Sequence, residues 1–183
     1  MSRESFQVFG LKFVDVMVGI VLGLGFQWWP DLHEPWQYIA FVFIYLNLID
    51  YWVDYSPALK KFPPRRELDL ITHIFIMFMM FLLVYSTRGT IAFMFLTFTV
   101  YRIVDICWLY SIKREHQLDS SDKVYVNTWL KFDFMESLFS VILFFICQSF
   151  ASFSPLWALS VFILLRVATR ILSSVSYRRV FFA

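Results

Sequence analysis

Six long apolar stretches run through the sequence, and they constrain the fold more than any other feature. They cover approximately residues 8–29, 35–56, 68–87, 90–112, 124–149 and 155–177. A bilayer core of about 30 Å is crossed by roughly 20 mainly apolar residues in an α-helix. We therefore expect an all-α, multi-pass integral membrane protein in which residues 1–183 form a single domain of six transmembrane helices.

The composition agrees with a chain that has the lipid bilayer as its main partner. Hydrophobic residues make up 60% of the sequence and charged residues only 16%. A soluble domain of this length would leave large apolar patches in contact with water. The formal net charge of +2 is small, which argues against a nucleic-acid partner.

The Lys and Arg residues of the loops predict the orientation, since basic residues concentrate on the cytoplasmic side. The loops after the second and fourth predicted spans carry most of them: Lys60, Lys61, Arg65, Arg66, Lys113, Arg114 and Lys123. The three opposite loops carry only Arg88. We therefore expect both termini and the two long loops to face the cytoplasm.

A weak internal similarity suggests three repeated helical hairpins. Lys12 to Asp15, Arg66 to Asp69 and Lys131 to Asp133 begin the first helix of each pair in a similar way. The second helices align Asp50 with Asp105 and, in the third copy, with Thr169. The alternative is chance similarity among apolar helices that have polar inner ends.

The ionisable residues inside the predicted spans gather in the half that faces the cytoplasm. The set that concerns function is Asp15, Asp50, Arg102, Asp105, Asp133, Glu136 and Arg166. Charges in a bilayer core are costly, so they pair or line water. One hypothesis is a wet, acidic vestibule that attracts cations. The other is a structural network of ion pairs, for example Glu136 with Arg166 and Asp50 with Arg102.

The first predicted span has glycines in its interior, unlike the other five. Gly19 and Gly23 form a GxxxG pair, which allows another helix backbone to approach closely. Such a helix is expected at the centre of the bundle or at an oligomer axis. Ordinary tight packing between neighbouring helices is the alternative.

The segment from Phe13 to Leu24 resembles the first helix of the lysosomal-type potassium channel family, whose bacterial members are six-helix chains. Phe13 and Asp15 match the F and D of the family's F-S-D motif, and Ile20 falls where the family has a pore-constricting isoleucine. Gly23 replaces a pore threonine. The resemblance implies a pore built from the first helices of several subunits, and it implies the plasma membrane of a prokaryote.

These features together predict an oligomeric cation channel, with potassium implied by the resemblance. Ile20 and Leu24 would form a hydrophobic constriction, Gly19 and Gly23 would let pore helices pack, and Asp15 would attract monovalent cations. One alternative is a non-transporting anchor or sensor subunit whose basic cytoplasmic loops bind a protein or anionic lipid. Another is a proton-coupled secondary transporter, in which carboxylates carry the protons.

Enzyme chemistry is not expected. The sequence has no nucleophile with a nearby base, no phosphate-binding glycine loop and no multi-histidine metal pattern. We accordingly expect neither a cofactor nor a metal site. His73 lies within the third span and is interpreted as a hydrogen-bonded core histidine.

Overall fold

The structure is a computed structural model that describes residues 3–150 and 153–181, with side chains described for 12–150 and 153–176. These residues form six α-helices and contain no β-strand. The helices are α1 (Arg3–Gly25), α2 (Pro35–Lys61), α3 (Glu67–Ser86), α4 (Ile91–Glu115), α5 (Ser120–Ser149) and α6 (Pro155–Phe181). The all-α class and the six predicted helices are confirmed.

Four of the described helical segments are long and apolar enough to cross a membrane. They are Lys12–Asp31, Glu67–Ser86, Ile91–Glu115 and Pro155–Ser176. The prediction of six such segments is therefore only partly confirmed. The other two helices, α2 and α5, have apolar stretches that are interrupted by carboxylates, such as Asp50 in α2 and Glu136 in α5.

Side-chain caps at the helix starts explain several of the boundaries, because the first N–H groups of a helix have no partner within it. Thr90 accepts a hydrogen bond from the Phe93 N–H at 3.1 Å at the start of α4. Asp69 Oδ2 accepts from the N–H groups of Arg65 and Arg66, at 2.9 and 3.0 Å, at the start of α3. Asp69 is therefore a capping residue.

The chain divides into two compact units, Met1–Gly89 and Thr90–Ala183, which we call unit 1 and unit 2. Unit 1 contains α1 to α3, and unit 2 contains α4 to α6. The repeat of three hairpins stays a prediction.

In unit 1, α1 packs against α3 and α2 through a face that carries Val14, Val18 and Val21. After Gly25 the chain continues as a 3₁₀ helix, Phe26–Asp31. Tyr45 of α2 donates a hydrogen bond to the Leu22 carbonyl at 2.7 Å, which holds the end of α1 against α2.

In unit 2, α5 packs along α4 and also against α6. Phe162 of α6 contacts two rings of α4, with centroid distances of 5.2 Å to Phe95 and 4.8 Å to Phe98. Ser140 of α5 donates to the Phe95 carbonyl at 2.8 Å. These contacts form the apolar part of the unit, next to a group of buried charges.

Candidate functional site

Apart from Asp50 on α2, the residues that the sequence singled out lie in two regions, one in each unit. The first is the open face of α1, defined by Asp15, Val16, Gly19, Ile20, Gly23 and Leu24. The second is the ionic cluster of unit 2, defined by Arg102, Asp105, Asp133, Glu136, Arg166 and Thr169.

The open face of α1 is an apolar stripe that the single chain leaves uncovered. Ile20 is 43% exposed and Leu24 is 45% exposed. Residues four apart lie on one side of an α-helix, so Val16 continues the same stripe and is also exposed. The buried valines occupy the other side of α1. The helix thus has one face that packs within unit 1 and one that is free to meet lipid or another chain.

The glycines of α1 divide between these two faces. A Cβ added at Gly19 or at Gly23 would have nothing within 4 Å. A Cβ added at Gly25 would lie 2.8 Å from Tyr45 Oη and 2.9 Å from Val84 Cγ1. Gly25 is therefore needed for packing inside unit 1, whereas Gly19 and Gly23 make no close approach within the described chain.

Asp15 lies at one end of the open face. Its Oδ1 accepts a hydrogen bond from Trp52 Nε1 of α2 at 3.1 Å, and the pair is exposed. The neutral indole N–H of Trp52 thus orients the Asp15 carboxylate. Asp50, also on α2, is half-buried, and its predicted pairing with Arg102 stays a prediction.

The ionic cluster of unit 2 is centred on the Arg102 guanidinium. Arg102 Nη2 lies 2.7 Å from Glu136 Oε2, and Nη1 lies 3.1 Å from Asp133 Oδ1 and 3.5 Å from Asp105 Oδ2. Arg102 is 2% exposed and Glu136 is 1% exposed. The guanidinium carbon also lies 5.1 Å from the centre of the Phe98 ring, an arrangement that favours a cation.

Glu136 joins the guanidinium of α4 to the polar residues of α6. Its Oε1 accepts from Arg166 Nη1 at 3.2 Å and from Thr169 Oγ1 at 2.5 Å. The structure thus contains the Glu136–Arg166 pair that the sequence suggested. Thr169 was noticed in the sequence only as a member of the repeat, and its contact with Glu136 was missed.

A common spacing could have revealed the whole cluster. Each of the three helices contributes two polar residues three positions apart: Arg102 and Asp105, Asp133 and Glu136, Arg166 and Thr169. Residues with this spacing lie on the same face of a helix. Three such pairs on consecutive apolar helices predict one shared polar layer, because each helix turns its polar face away from lipid.

Burial determines what the cluster can do. Its charges are paired with one another and are largely buried, which are the contacts expected of the ion-pair network, one of the two hypotheses from the sequence. Deleting one partner of such a pair leaves an uncompensated buried charge. The arrangement favours a stabilising role for Arg102, Asp133, Glu136 and Arg166.

Unit 1 has a buried polar contact of a different kind. His73 of α3 and Tyr55 of α2 are both buried, and the Tyr55 hydroxyl is hydrogen-bonded to His73 Nδ1. The interpretation of His73 as a hydrogen-bonded core histidine is confirmed. Among the residues that the structure describes, no group of three or more His, Cys, Asp or Glu side chains could hold a metal ion.

No protein-family model, curated protein or solved structure matches this chain. The resemblance of α1 to the lysosomal-type potassium channels therefore rests on the residues of that helix alone.

Proposed function

We propose that this chain is a six-span membrane protein that assembles into a homo-oligomer and conducts monovalent cations along the open faces of its α1 helices. In this arrangement α2 and α5 also cross the membrane, and both termini are cytoplasmic. The observation that carries the proposal is the open face itself, where Ile20 and Leu24 are exposed and a Cβ added at Gly19 or Gly23 would have nothing of the described chain within 4 Å.

The helix faces suit this role for a physical reason. A monomer in lipid gains nothing from glycines on a lipid-facing surface, since apolar side chains there would serve equally well. Small residues on a membrane helix let a second helix approach closely and form van der Waals contacts. Gly19 and Gly23 are on the face that unit 1 leaves uncovered, which favours contact with a second α1 helix.

The side chains beside the glycines supply the elements of a pore. Rings of Ile20 and Leu24 around a closed symmetry axis would form a narrow apolar segment, which gates ions by excluding water. Asp15 lies five residues before Ile20, or about 7.5 Å along a helix at 1.5 Å per residue. A ring of such carboxylates would concentrate cations at one mouth of the constriction.

The ionic cluster of unit 2 has no part in conduction under this proposal. Its charges are paired and buried, so it contributes a rigid three-helix support. The acidic vestibule suggested by the sequence is accordingly limited to Asp15 and to the half-buried carboxylates of α2, Asp50 and Asp54.

The test is cation flux through purified protein in liposomes, with Ile20→Asn compared with the original chain. A polar side chain in the constriction should wet it and raise the flux. Ile74→Asn is the matched control, because Ile74 is also 43% exposed but lies on α3. We expect flux to rise in the Ile20 variant alone.

Two outcomes would contradict the proposal. Equal flux changes in the Ile20 and Ile74 variants would place the effect outside α1. Absence of flux from folded protein and from both variants would favour the non-transporting subunit, and a partner bound at the basic cytoplasmic loops would then be sought by copurification.

A further inference from the structure

The turn between α2 and α3 carries four positive charges within seven residues and no acidic residue among them. We call residues 60–66 the basic turn, and its charged residues are Lys60, Lys61, Arg65 and Arg66. All four side chains are exposed. The helix that follows, α3, is one of the segments long and apolar enough to cross a membrane. The basic turn therefore lies where α3 would leave the bilayer.

The backbone of the basic turn is held in place by contacts that do not involve its positive side chains. Phe62 is 4% exposed and Pro64 is also buried, so two apolar residues anchor the turn between its basic pairs. The backbone N–H groups of Arg65 and Arg66 donate to Asp69 Oδ2 at 2.9 and 3.0 Å. The turn thus presents its cations at the surface on an anchored backbone.

The loop between α4 and α5 is also basic, but its charges are balanced. Between residues 113 and 123 it has three basic and three acidic residues: Lys113, Arg114 and Lys123 with Glu115, Asp119 and Asp122. Lys113 Nζ donates to Asn127 Oδ1 at 3.0 Å, and Arg114 Nη2 lies 3.2 Å from Glu115 Oε1. Both loops would orient the chain by their basic residues. The basic turn differs because no acidic residue separates its cations.

The acidic residues closest in sequence leave the basic turn able to attract an anion. Asp69 is 8% exposed, and its carboxylate accepts the two N–H groups of the cap. Glu67 is exposed. Each guanidinium has five N–H donors, so Arg65 or Arg66 can contact a phosphate oxygen and a second acceptor together. Attraction of an anion depends on the charge and exposure of these side chains.

An exposed apolar stripe begins directly after the basic turn. It consists of Leu68, Ile71, Phe75 and Phe78, which are 67%, 58%, 45% and 54% exposed. Their spacing of three and four residues places them on one face of α3. We call this face the α3 stripe. Cations at one end of an apolar stripe match a molecule that has a negatively charged head and a long apolar tail.

We propose that the basic turn and the α3 stripe form a binding site for an anionic membrane lipid. The basic turn holds the phosphate of the headgroup, which the planar guanidinium groups of Arg65 and Arg66 can contact in a bidentate manner. The acyl chains lie along the α3 stripe. The proposal rests on α3 as a membrane span and is independent of the pore proposed for α1.

The α3 stripe is the reason to assign a lipid and not a soluble phosphate compound or an acidic protein. A soluble ligand would use only the basic turn. Basic residues next to a membrane span attract anionic lipids, and each contributes about a fivefold increase in affinity. Four of them beside one apolar face therefore favour an anionic lipid over a zwitterionic one.

The experiment follows thermal unfolding of the purified chain in a neutral detergent as lipid is added. A ligand that binds the folded state raises the unfolding midpoint with its concentration. We expect the midpoint to rise with phosphatidylglycerol and to rise much less with phosphatidylcholine. The preference should weaken as the salt concentration increases, because the cations are exposed. Glycerol phosphate, which has no acyl chains, should cause no rise at the same concentrations.

Two double variants test the basic turn. Arg65→Gln with Arg66→Gln keeps both backbone N–H groups that Asp69 accepts, so the start of α3 is preserved. This variant should bind phosphatidylglycerol about 30-fold more weakly, and Lys60→Gln with Lys61→Gln should show a similar loss. Lys113→Gln with Arg114→Gln is the matched control, since it also removes two positive charges, and it should leave the affinity unchanged.

Four results would overturn the assignment. Equal rises with the two lipids would show that the headgroup charge is not recognised and would favour an acidic protein partner. Unchanged phosphatidylglycerol affinity in both folded basic-turn variants would place the site elsewhere. An equal loss in the α4–α5 loop control would mean that only the total charge matters. A rise with glycerol phosphate as large as that with the lipid would identify a soluble phosphate ligand.

Discussion

The open face of α1 and the ionic cluster of unit 2 contain similar sequence signals and have opposite environments. Both place carboxylates within or next to long apolar stretches. Asp15 is exposed and is oriented by a neutral indole, whereas Glu136 is buried between two guanidinium groups. A charge within an apolar helix therefore has no fixed role. Its partners on neighbouring helices decide whether it stabilises the fold or remains available to solvent and ions.

Removing the centre of the ionic cluster should destabilise the protein more than any other single change proposed for it. Arg102→Met should lower the free energy of unfolding by about 3–5 kcal/mol, because Asp133 and Glu136 would lose their shared cation in a buried position. Denaturant unfolding of unit 2 measures the loss. Lys131→Met is the matched control, since Lys131 is exposed on α5, and it should change stability by no more than about 0.5 kcal/mol. Equal effects of the two changes would contradict the distinction between buried and solvent-facing cations.

The second prediction concerns Gly25, which is closely packed, in contrast to Gly19 and Gly23. Gly25→Ala should destabilise the chain by about 1–3 kcal/mol, because the added Cβ would press on Tyr45 and on Val84, and overpacking costs that much. Thermal unfolding of the monomer in detergent is the measurement. Tyr45→Phe removes the hydroxyl next to this Cβ, so it should reduce the cost of Gly25→Ala in a double-mutant cycle. A cost that is unchanged by Tyr45→Phe would mean that the close approach to the hydroxyl is unimportant.

A third prediction concerns the open face. Gly19→Ala and Gly23→Ala have space for the new methyl group, so neither should destabilise the monomer. If α1 helices pack against each other at this face, both changes should weaken the oligomer by about 1 kcal/mol, a scale typical of single contacts between membrane helices. Crosslinking at graded protein-to-detergent ratios measures the shift. An oligomer that is insensitive to both changes would show that subunits meet elsewhere.

The smallest expected effect is that of the exposed carboxylate. Asp15→Asn keeps an acceptor for the Trp52 indole and removes the charge. We expect the free energy of unfolding to change by no more than about 0.5 kcal/mol, while cation flux at low salt falls several-fold. The difference should shrink as the salt concentration rises, because screening weakens the attraction of an exposed charge. A flux loss that is equal at low and high salt would argue against an electrostatic role for Asp15.

Local features of the sequence were enough to predict the helices. Apolar length, proline positions and basic loops predicted six helices whose bounds agree with the observed ones to within a few residues at most ends. Only four of the described helical segments are apolar enough to be clear candidates for membrane spans. The apolar stretches of α2 and α5 are long enough, but carboxylates interrupt them. Asp69 lies inside the predicted span 68–87, but its contacts with the N–H groups of Arg65 and Arg66 make it a cap at the start of α3.

The residues that would need polar partners were also recognisable from the sequence, since any charge in a long apolar helix must be neutralised, hydrated or paired. The sequence suggested the Glu136–Arg166 pair on that ground. The packing of the helices was needed to show that Arg102 is the centre of a buried cluster. It was also needed to show that Gly25 is packed while Gly19 and Gly23 are not, and that α1 keeps one face uncovered. The physical reason is that periodicity along a helix shows which residues share a face. What covers that face depends on how other helices pack, through contacts between residues far apart in the chain.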